Sequence, residues 1–146
     1  MGSVSTIFLG RVTVRAQMSY SSHRARVPSH WGKHTWDALF LLAADYPHAK
    51  DCRDDDRYPP SAIEDRKRAW KQLIKALPGV LTCGVCSHHF ADYIKRDGGK
   101  PLDAALQNRE ALFEWLYACK NEVNKRRGRR SPSLSKVKRR YIPKCP

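Results

Sequence analysis

No apolar run in this chain approaches the roughly 20 residues that a helix needs to cross a bilayer, and Ile7-Phe8-Leu9 is too short for a signal-peptide core. No segment alternates apolar and polar residues as a half-buried strand does, which leaves helices as the building material. Internal repeats are missing too, so solenoids and propellers drop out. Cysteine is sparse and odd in number: Cys52, Cys83, Cys86, Cys119 and Cys145 do not make a disulfide-stapled secreted scaffold. Acidic residues are absent from both ends. Residues 1–30 hold Arg11, Arg15, Arg24 and Arg26, and residues 125–146 hold ten Lys or Arg, so the whole formal charge of +14 lies outside a neutral body over 31–124.

A length of 146 residues suits one domain with a modest core. A hydrophobic share of 41% is slightly low and places part of the chain outside that core. Residues 1–28 read as a disordered basic extension. They are Ser- and Arg-rich like a transit peptide, and Met1-Gly2-Ser3-Val4-Ser5-Thr6 fits a loose myristoylation pattern. A block of cations is by default a solvated tail or a polyanion contact, so nucleic acid is possible but not favoured.

Helical periodicity organises the rest. Ser29 is placed to cap a helix carrying Trp36, Leu39, Phe40 and Ala43, which Pro47 stops. Residues 48–60, with Asp54-Asp55-Asp56, read as a solvated loop. Ser61 and Glu64 form a capping box for a second helix bearing Trp70, Leu73, Ile74 and Leu77, ended by Pro78-Gly79. A third helix starts at Cys83-Gly84-Val85-Cys86, carries Phe90 and Ile94, and ends at Gly98-Gly99. Asn108 caps a fourth, with Leu112, Trp115, Leu116, Cys119 and Val123. The expected fold is all-α, a four-helix bundle with a short fifth C-terminal helix. The expected domain spans 29–142, followed by a tail over 143–146.

Cys83 and Cys86 carry the chemistry. Cysteines two residues apart at a helix start are suited to thiol–disulfide exchange, because free N–H groups there stabilise a thiolate. Zinc is the rival: Cys83, Cys86 and His88 or His89 would supply three ligands, but no Cys or His follows His89 until Cys119. On the motif alone, redox and zinc chemistry both stay open.

The surroundings separate them. Gly32-Lys33-His34-Thr35-Trp36-Asp37-Ala38-Leu39-Phe40, continuing to Tyr46-Pro47, resembles the opening helix of the Erv/ALR family of FAD-linked sulfhydryl oxidases. Trp115-Leu116-Tyr117-Ala118-Cys119-Lys120-Asn121-Glu122-Val123-Asn124 resembles that family's second signature, with Cys83 and Cys86 between the two. Ser135-Lys136-Val137 and Arg140-Tyr141 extend the likeness without a gap. The resemblance implies a mechanism. A protein dithiol exchanges with the Cys83–Cys86 disulfide at Cys83, Cys86 lies against the isoalloxazine, and molecular oxygen takes the electrons with release of hydrogen peroxide. It also implies a homodimer, to which Leu41, Leu42 and Ile74, apolar residues in excess of one small core, would contribute.

The cofactor set implied for FAD comprises Gly32, Lys33, Trp36, Phe40, Cys86, Phe90, Trp115, Lys120, Asn121, Val123, Asn124, Arg129, Arg140 and Tyr141, with no metal. Arg129 and Arg140 suit the pyrophosphate; the other arginines of the run read as surface charge. The chain departs from the pattern at Phe40 and Lys120, where the family has histidine, and at Tyr141, where it has tryptophan. The positions of the family's second disulfide are Tyr117 and Leu134, whose joint change points to replacement by packing. Relatives in large DNA viruses share that loss, which implies a viral source and a host-cytoplasmic or virion location, with the mitochondrial intermembrane space as the alternative. Cys145 is a shuttle thiol if Cys52 or a partner subunit's cysteine can reach it. Two other readings stand against the oxidase: a basic binding module with zinc, and a relative that kept the bundle but lost FAD.

Overall fold

A computed structural model describes residues 28–47, 60–96 and 101–142. The N-terminal extension, the Asp54-Asp55-Asp56 loop, Gly98-Gly99, Cys52, Cys145 and the tail over 143–146 lie outside the described residues. The elements are α1 (Pro28–Ala44), α2 (Pro60–Val80), α3 (Gly84–Lys95), α4 (Leu102–Ala105), α5 (Arg109–Arg126) and α6 (Leu134–Tyr141). The described residues are thus all-α, with α1, α2, α3 and α5 as the four long helices and α6 as the short C-terminal one. The single turn α4 was not foreseen.

Helix ends differ from the sequence reading at three places, each involving proline. Ser29 and Ser61 lie inside the first turns of α1 and α2, not at their caps. Proline's fixed φ and missing N–H suit the first helical position, so each helix begins on the proline just before the serine. Further on, α2 continues through Pro78 and Gly79 to Val80. So near the end, Pro78 removes only one ladder bond, and the Leu81 N–H still reaches the Leu77 carbonyl at 3.1 Å. The Ser87 hydroxyl donates to the Pro78 carbonyl at 2.6 Å, fastening α3 to the end of α2. The Asn108 cap is present, its Oδ1 accepting from the Ala111 N–H at 2.9 Å.

The core joins Leu39, Phe40 and Ala43 of α1, Trp70 and Ile74 of α2, Phe90 and Tyr93 of α3, and Leu112, Phe113, Trp115, Leu116 and Cys119 of α5. Burial of each large apolar side chain contributes about 1.5–3 kcal/mol. Ile74 is fully buried here rather than surplus on the surface; its neighbour Leu73 is exposed, with Leu41 and Leu42. Polar ties set the orientation. Arg66 donates to the Asp45 carbonyl at 2.7 Å, while Trp31 and Trp36 share a cavity with Leu77 and Leu81, so α2 runs antiparallel to α1. The Tyr46 hydroxyl donates to the Leu106 carbonyl at 2.8 Å.

The basic segment after α5 is folded back rather than trailing away. Gly128, at φ 62°, takes the left-handed conformation that ends many helices. The Gly128 N–H bonds the Lys125 carbonyl at 3.1 Å and the Arg129 N–H bonds the Asn124 carbonyl at 2.8 Å. α6 then packs on α1 through buried Val137 and through Tyr141, whose ring stacks on Phe40 with centroids 5.1 Å apart. The Tyr117 hydroxyl donates to the Pro132 carbonyl at 2.9 Å, and Leu134 packs against the core. Packing and one hydrogen bond therefore join Tyr117 and Leu134 to the fold at these two positions.

Candidate active site

Cys83 is the N-cap of α3, its Sγ accepting from the Cys86 N–H at 3.2 Å. Cys86 follows one turn later, and the two sulfurs form a disulfide with Cα atoms 5.2 Å apart. The disulfide thus sits where the free N–H groups and the positive end of a helix favour a thiolate on reduction. Among the described residues no cluster of three or more His, Cys, Asp or Glu is placed to hold a metal ion. With Cys83 and Cys86 bonded to each other, the zinc reading has no ligand set there.

Cys86 opens into a cavity of about 570 Å³, while Cys83 stays outside its lining. That volume falls within the range of small-molecule and cofactor sites. Four elements build the wall. α1 supplies Trp31, Gly32, Lys33, Thr35, Trp36 and Leu39, and the end of α2 with the turn after it supplies Leu77 and Leu81. α3 supplies Val85, Cys86, His89 and Phe90, and the last turns of α5 with the segment beyond supply Lys120, Val123, Asn124, Arg126, Arg127 and Arg129. Helical spacing explains α3's share: His89 and Phe90, three and four residues after Cys86, lie on its face.

Of the cofactor residues expected from the sequence, the cavity gathers Gly32, Lys33, Trp36, Cys86, Phe90, Lys120, Val123, Asn124 and Arg129. Phe40, Trp115, Asn121, Arg140 and Tyr141 lie outside its lining. Phe40 is 1% exposed, packed between Phe113 and Tyr141 at centroid distances of 4.9 and 5.1 Å. Trp115 is buried edge-on against Tyr93 at 5.1 Å. Tyr141 donates a hydrogen bond to Asp37, and the Arg140 guanidinium lies 5.3 Å from the Tyr141 ring centre and 3.9 Å from Asp37.

Several wall residues escaped the sequence reading. Arg126 and Arg127, read as surface charge, line the cavity as the last residue of α5 and its C-cap. His89, weighed only as a zinc ligand, was findable from its spacing to Cys86. Trp31, Leu77, Leu81 and Val85 had no chemical signal.

Cations dominate the charge: Lys33, Lys120, Arg126, Arg127 and Arg129 line the wall and no carboxylate does. Lys33 is paired with Asp37 at 2.7 Å and Arg126 with Glu122 at 3.2 Å. The Lys120 ammonium lies 5.0 Å from the Trp36 ring centre, a cation–π contact. Burial, with Arg129, Arg140 and Arg127 nearby, pulls its pKa below the ordinary value, against the opposing pull of Asp37. The Trp31 indole nitrogen is buried without a hydrogen-bond partner. Aromatic and aliphatic walls and a set of cations fit a ligand with a flat heteroaromatic ring and an anionic group, as FAD has.

The Erv1 / Alr family matches residues 33–142. An FAD-linked sulfhydryl oxidase of African swine fever virus (isolate Pig/Kenya/KEN-50/1950) is 29% identical over 118 residues, 77% of this chain and 80% of that one. FAD-linked sulfhydryl oxidase ERV1 of Arabidopsis thaliana is 28% identical over 98 residues, 67% of this chain and 42% of that one. In structure, the yeast Erv1 core gives a TM-score of 0.59 at 21% identity, covering 87% of this chain and 95% of that one. A cysteine-to-serine double mutant of Saccharomyces cerevisiae Erv1 gives 0.65 at 19% identity, covering 90% and 76%. These two likenesses carry the fold, and the family match runs from Lys33 in α1 through α6: the chain belongs to the Erv1 / Alr family.

Proposed function

We propose that the chain is an FAD-linked thiol oxidase that forms disulfides in protein dithiols. The observation that carries this reading is the placement of one sulfur of a helix-capping disulfide in the wall of a cavity lined by rings and cations. The names of the viral and plant relatives support it.

A substrate thiolate attacks Cys83 Sγ, the sulfur outside the cavity lining; a substrate–Cys83 disulfide forms and Cys86 leaves as a thiolate. The substrate's second thiolate then attacks its own sulfur in that bond, and Cys83 leaves as a thiolate. The substrate is oxidised by two electrons and the pair is reduced. The α3 N-terminus stabilises the Cys86 thiolate inside the cavity. His89, on the same helix face, lines the cavity beside that thiolate. The chemistry that FAD supplies when bound is two-electron oxidation of the reduced pair, with molecular oxygen as terminal acceptor, reduced to hydrogen peroxide. Trp36, Phe90 and Val123 would flank its ring, while Lys33, Lys120, Arg126, Arg127 and Arg129 would neutralise its phosphates and Gly32 would allow close backbone approach. Phe40, Trp115 and Tyr141 pack behind the wall, and Tyr141 and Arg140 reach Asp37, the partner of Lys33. Exposed Leu41, Leu42 and Leu73 on α1 and α2 support a homodimer. The viral relatives support a virion or infected-cell location.

Purified protein should be yellow, absorbing at about 450 nm as bound flavin does. Cys86→Ser should abolish oxygen consumption with dithiothreitol and keep the colour. A colourless parent protein sinks the oxidase reading in favour of a flavin-free relative, and turnover by Cys86→Ser removes Cys86 from the path.

A further inference from the structure

The two most exposed of the large apolar side chains among the described residues are Val80, at 71%, and Val85, at 67%. They flank Cys83 in the sequence. Three extended residues span at most about 11 Å, so both backbones lie within that reach of the Cys83 Cα. The bond from the Ser87 hydroxyl to the Pro78 carbonyl holds the end of α2 against the first turn of α3, which fixes Val80 relative to the disulfide. From Ala76 to Ala91 the chain carries no Lys, Arg, Asp or Glu, its longest such stretch, in a sequence with 28 basic and 14 acidic residues. Full charges are thus missing from the segment that bears the redox pair.

Neither valine belongs to the core or packs against it. Apolar surface left in water beside a reactive sulfur is surface for a partner. The partner that must come there is the substrate, since its sulfur has to reach Cys83 Sγ for exchange. Cys83 is partly exposed and outside the cavity lining, so that sulfur arrives from the solvent side. Whatever flanks the substrate's cysteine then meets Val80 and Val85. An apolar flank buries its own surface and theirs. A charged flank gives up water and finds no opposite charge in that segment.

Resting on the oxidase reading, we infer that the surface around Cys83 selects the substrate: it docks a protein segment whose reactive cysteine is flanked by apolar side chains, which pack on Val80 and Val85.

The test uses the full, FAD-loaded chain and three reduced peptides that share one Cys-x-x-Cys pair, flanked by leucine, serine or aspartate. Oxygen consumption should give a kcat/KM about tenfold higher for the leucine peptide than for the serine one, the difference lying in KM, and lower again for the aspartate one. Val80→Ser, which opens no core, should lose about fivefold with the leucine peptide and nothing with the serine peptide or dithiothreitol. Val85 also lines the cavity, so the test leaves it in place. Equal rates on the leucine and serine peptides overturn the proposal. Faster oxidation of the aspartate peptide overturns it in favour of capture by the protein's positive field. If Val80→Ser slows dithiothreitol to the same degree, Val80 acts on the disulfide and the proposal falls. A Val80→Ser protein that sediments as a smaller species gives the patch to a second copy of the chain. A preference lost in the Cys52→Ser, Cys145→Ser double variant gives it to a segment of this chain, and either result overturns the proposal. Should Val80→Ser fail to fold, the parent's ranking of the three peptides decides by itself. A parent that leaves dithiothreitol unoxidised sinks the oxidase reading with this one, whereas a parent that oxidises it without ranking the peptides sinks this inference alone.

Discussion

Trp36 and Phe40 stand one turn apart on α1, yet their surroundings are opposite. At Trp36 the seam between α1 and α5 is open: the ring lines the cavity, and Lys120 reaches over it to 5.0 Å. At Phe40 the seam is closed, with Phe113 and Tyr141 packed on both sides of a ring that is 1% exposed. The difference follows from what meets α1 at each level. Beside Trp36 stands the long, half-buried side chain of Lys120, and the cavity lies between the helices at that level. Beside Phe40 stand two aromatic rings, which exclude water and gain from contact with one another. One helix face thus serves as a binding wall at its first half and as core at its second.

The largest effect expected from breaking this contrast is in the closed region. Phe40→Ala should destabilise the protein by about 3–5 kcal/mol, read from denaturant unfolding, because its cavity would be enclosed by Phe113 and Tyr141. Trp36→Ala, already facing open space, should cost less stability and more flavin. Equal stability losses would erase the distinction between the two levels.

Lys120→Met is next. A charge-assisted contact contributes about 1.5–3 kcal/mol, so FAD should bind ten- to a hundredfold more weakly, with a reduced dependence of affinity on salt. The parent's salt dependence persisting intact in the variant would take Lys120 off the phosphates.

Gly128→Ala probes the turn after α5 that leads to Arg129 in the cavity wall. A non-glycine residue held at φ 62° costs about 1–2 kcal/mol. The unfolding temperature should fall and flavin should dissociate faster, since Arg129 follows directly. A stability loss with unchanged flavin dissociation would separate the turn from the site.

The smallest effect belongs to Asp37, which links the two levels through Lys33, Tyr141 and Arg140. The Lys33 ammonium first, and then the Tyr141 hydroxyl, hold its carboxyl below the ordinary value of 3.8. A carboxylate with a lowered folded pKa adds stability that is present above the unfolded value and is lost as pH falls through the folded one. The small stability difference between parent and Asp37→Asn should therefore be constant from neutral pH down to about 5 and shrink below about 4. A difference that grows as pH falls would reverse the sign assigned to Asp37.

Much of this was legible in the chain. The helices followed from apolar spacing, the redox pair from two cysteines at a helix start, and nine residues of the cavity wall from the likeness around Trp36 and Trp115. The stacking of Phe40 on Tyr141 was not legible, because aromatic residues look alike in sequence whether they face a ligand or each other. Arg126 and Arg127 were passed over because a run of arginines carries no mark of which ones a turn will aim inward.

By itself the sequence determined the number of long helices, the position of Cys83 and Cys86 at the start of one, and a chain whose basic ends flank a neutral body. These depend on local rules: periodicity, capping and charge count. Only the tertiary structure decided that Arg126 and Arg127 join Cys86 in the cavity wall, that the seam shuts at Phe40, and that the Trp31 N–H is buried unpaired. Each depends on what a side chain meets from a helix distant in sequence. Burial and pairing are properties of that meeting, and no window along the chain contains both partners.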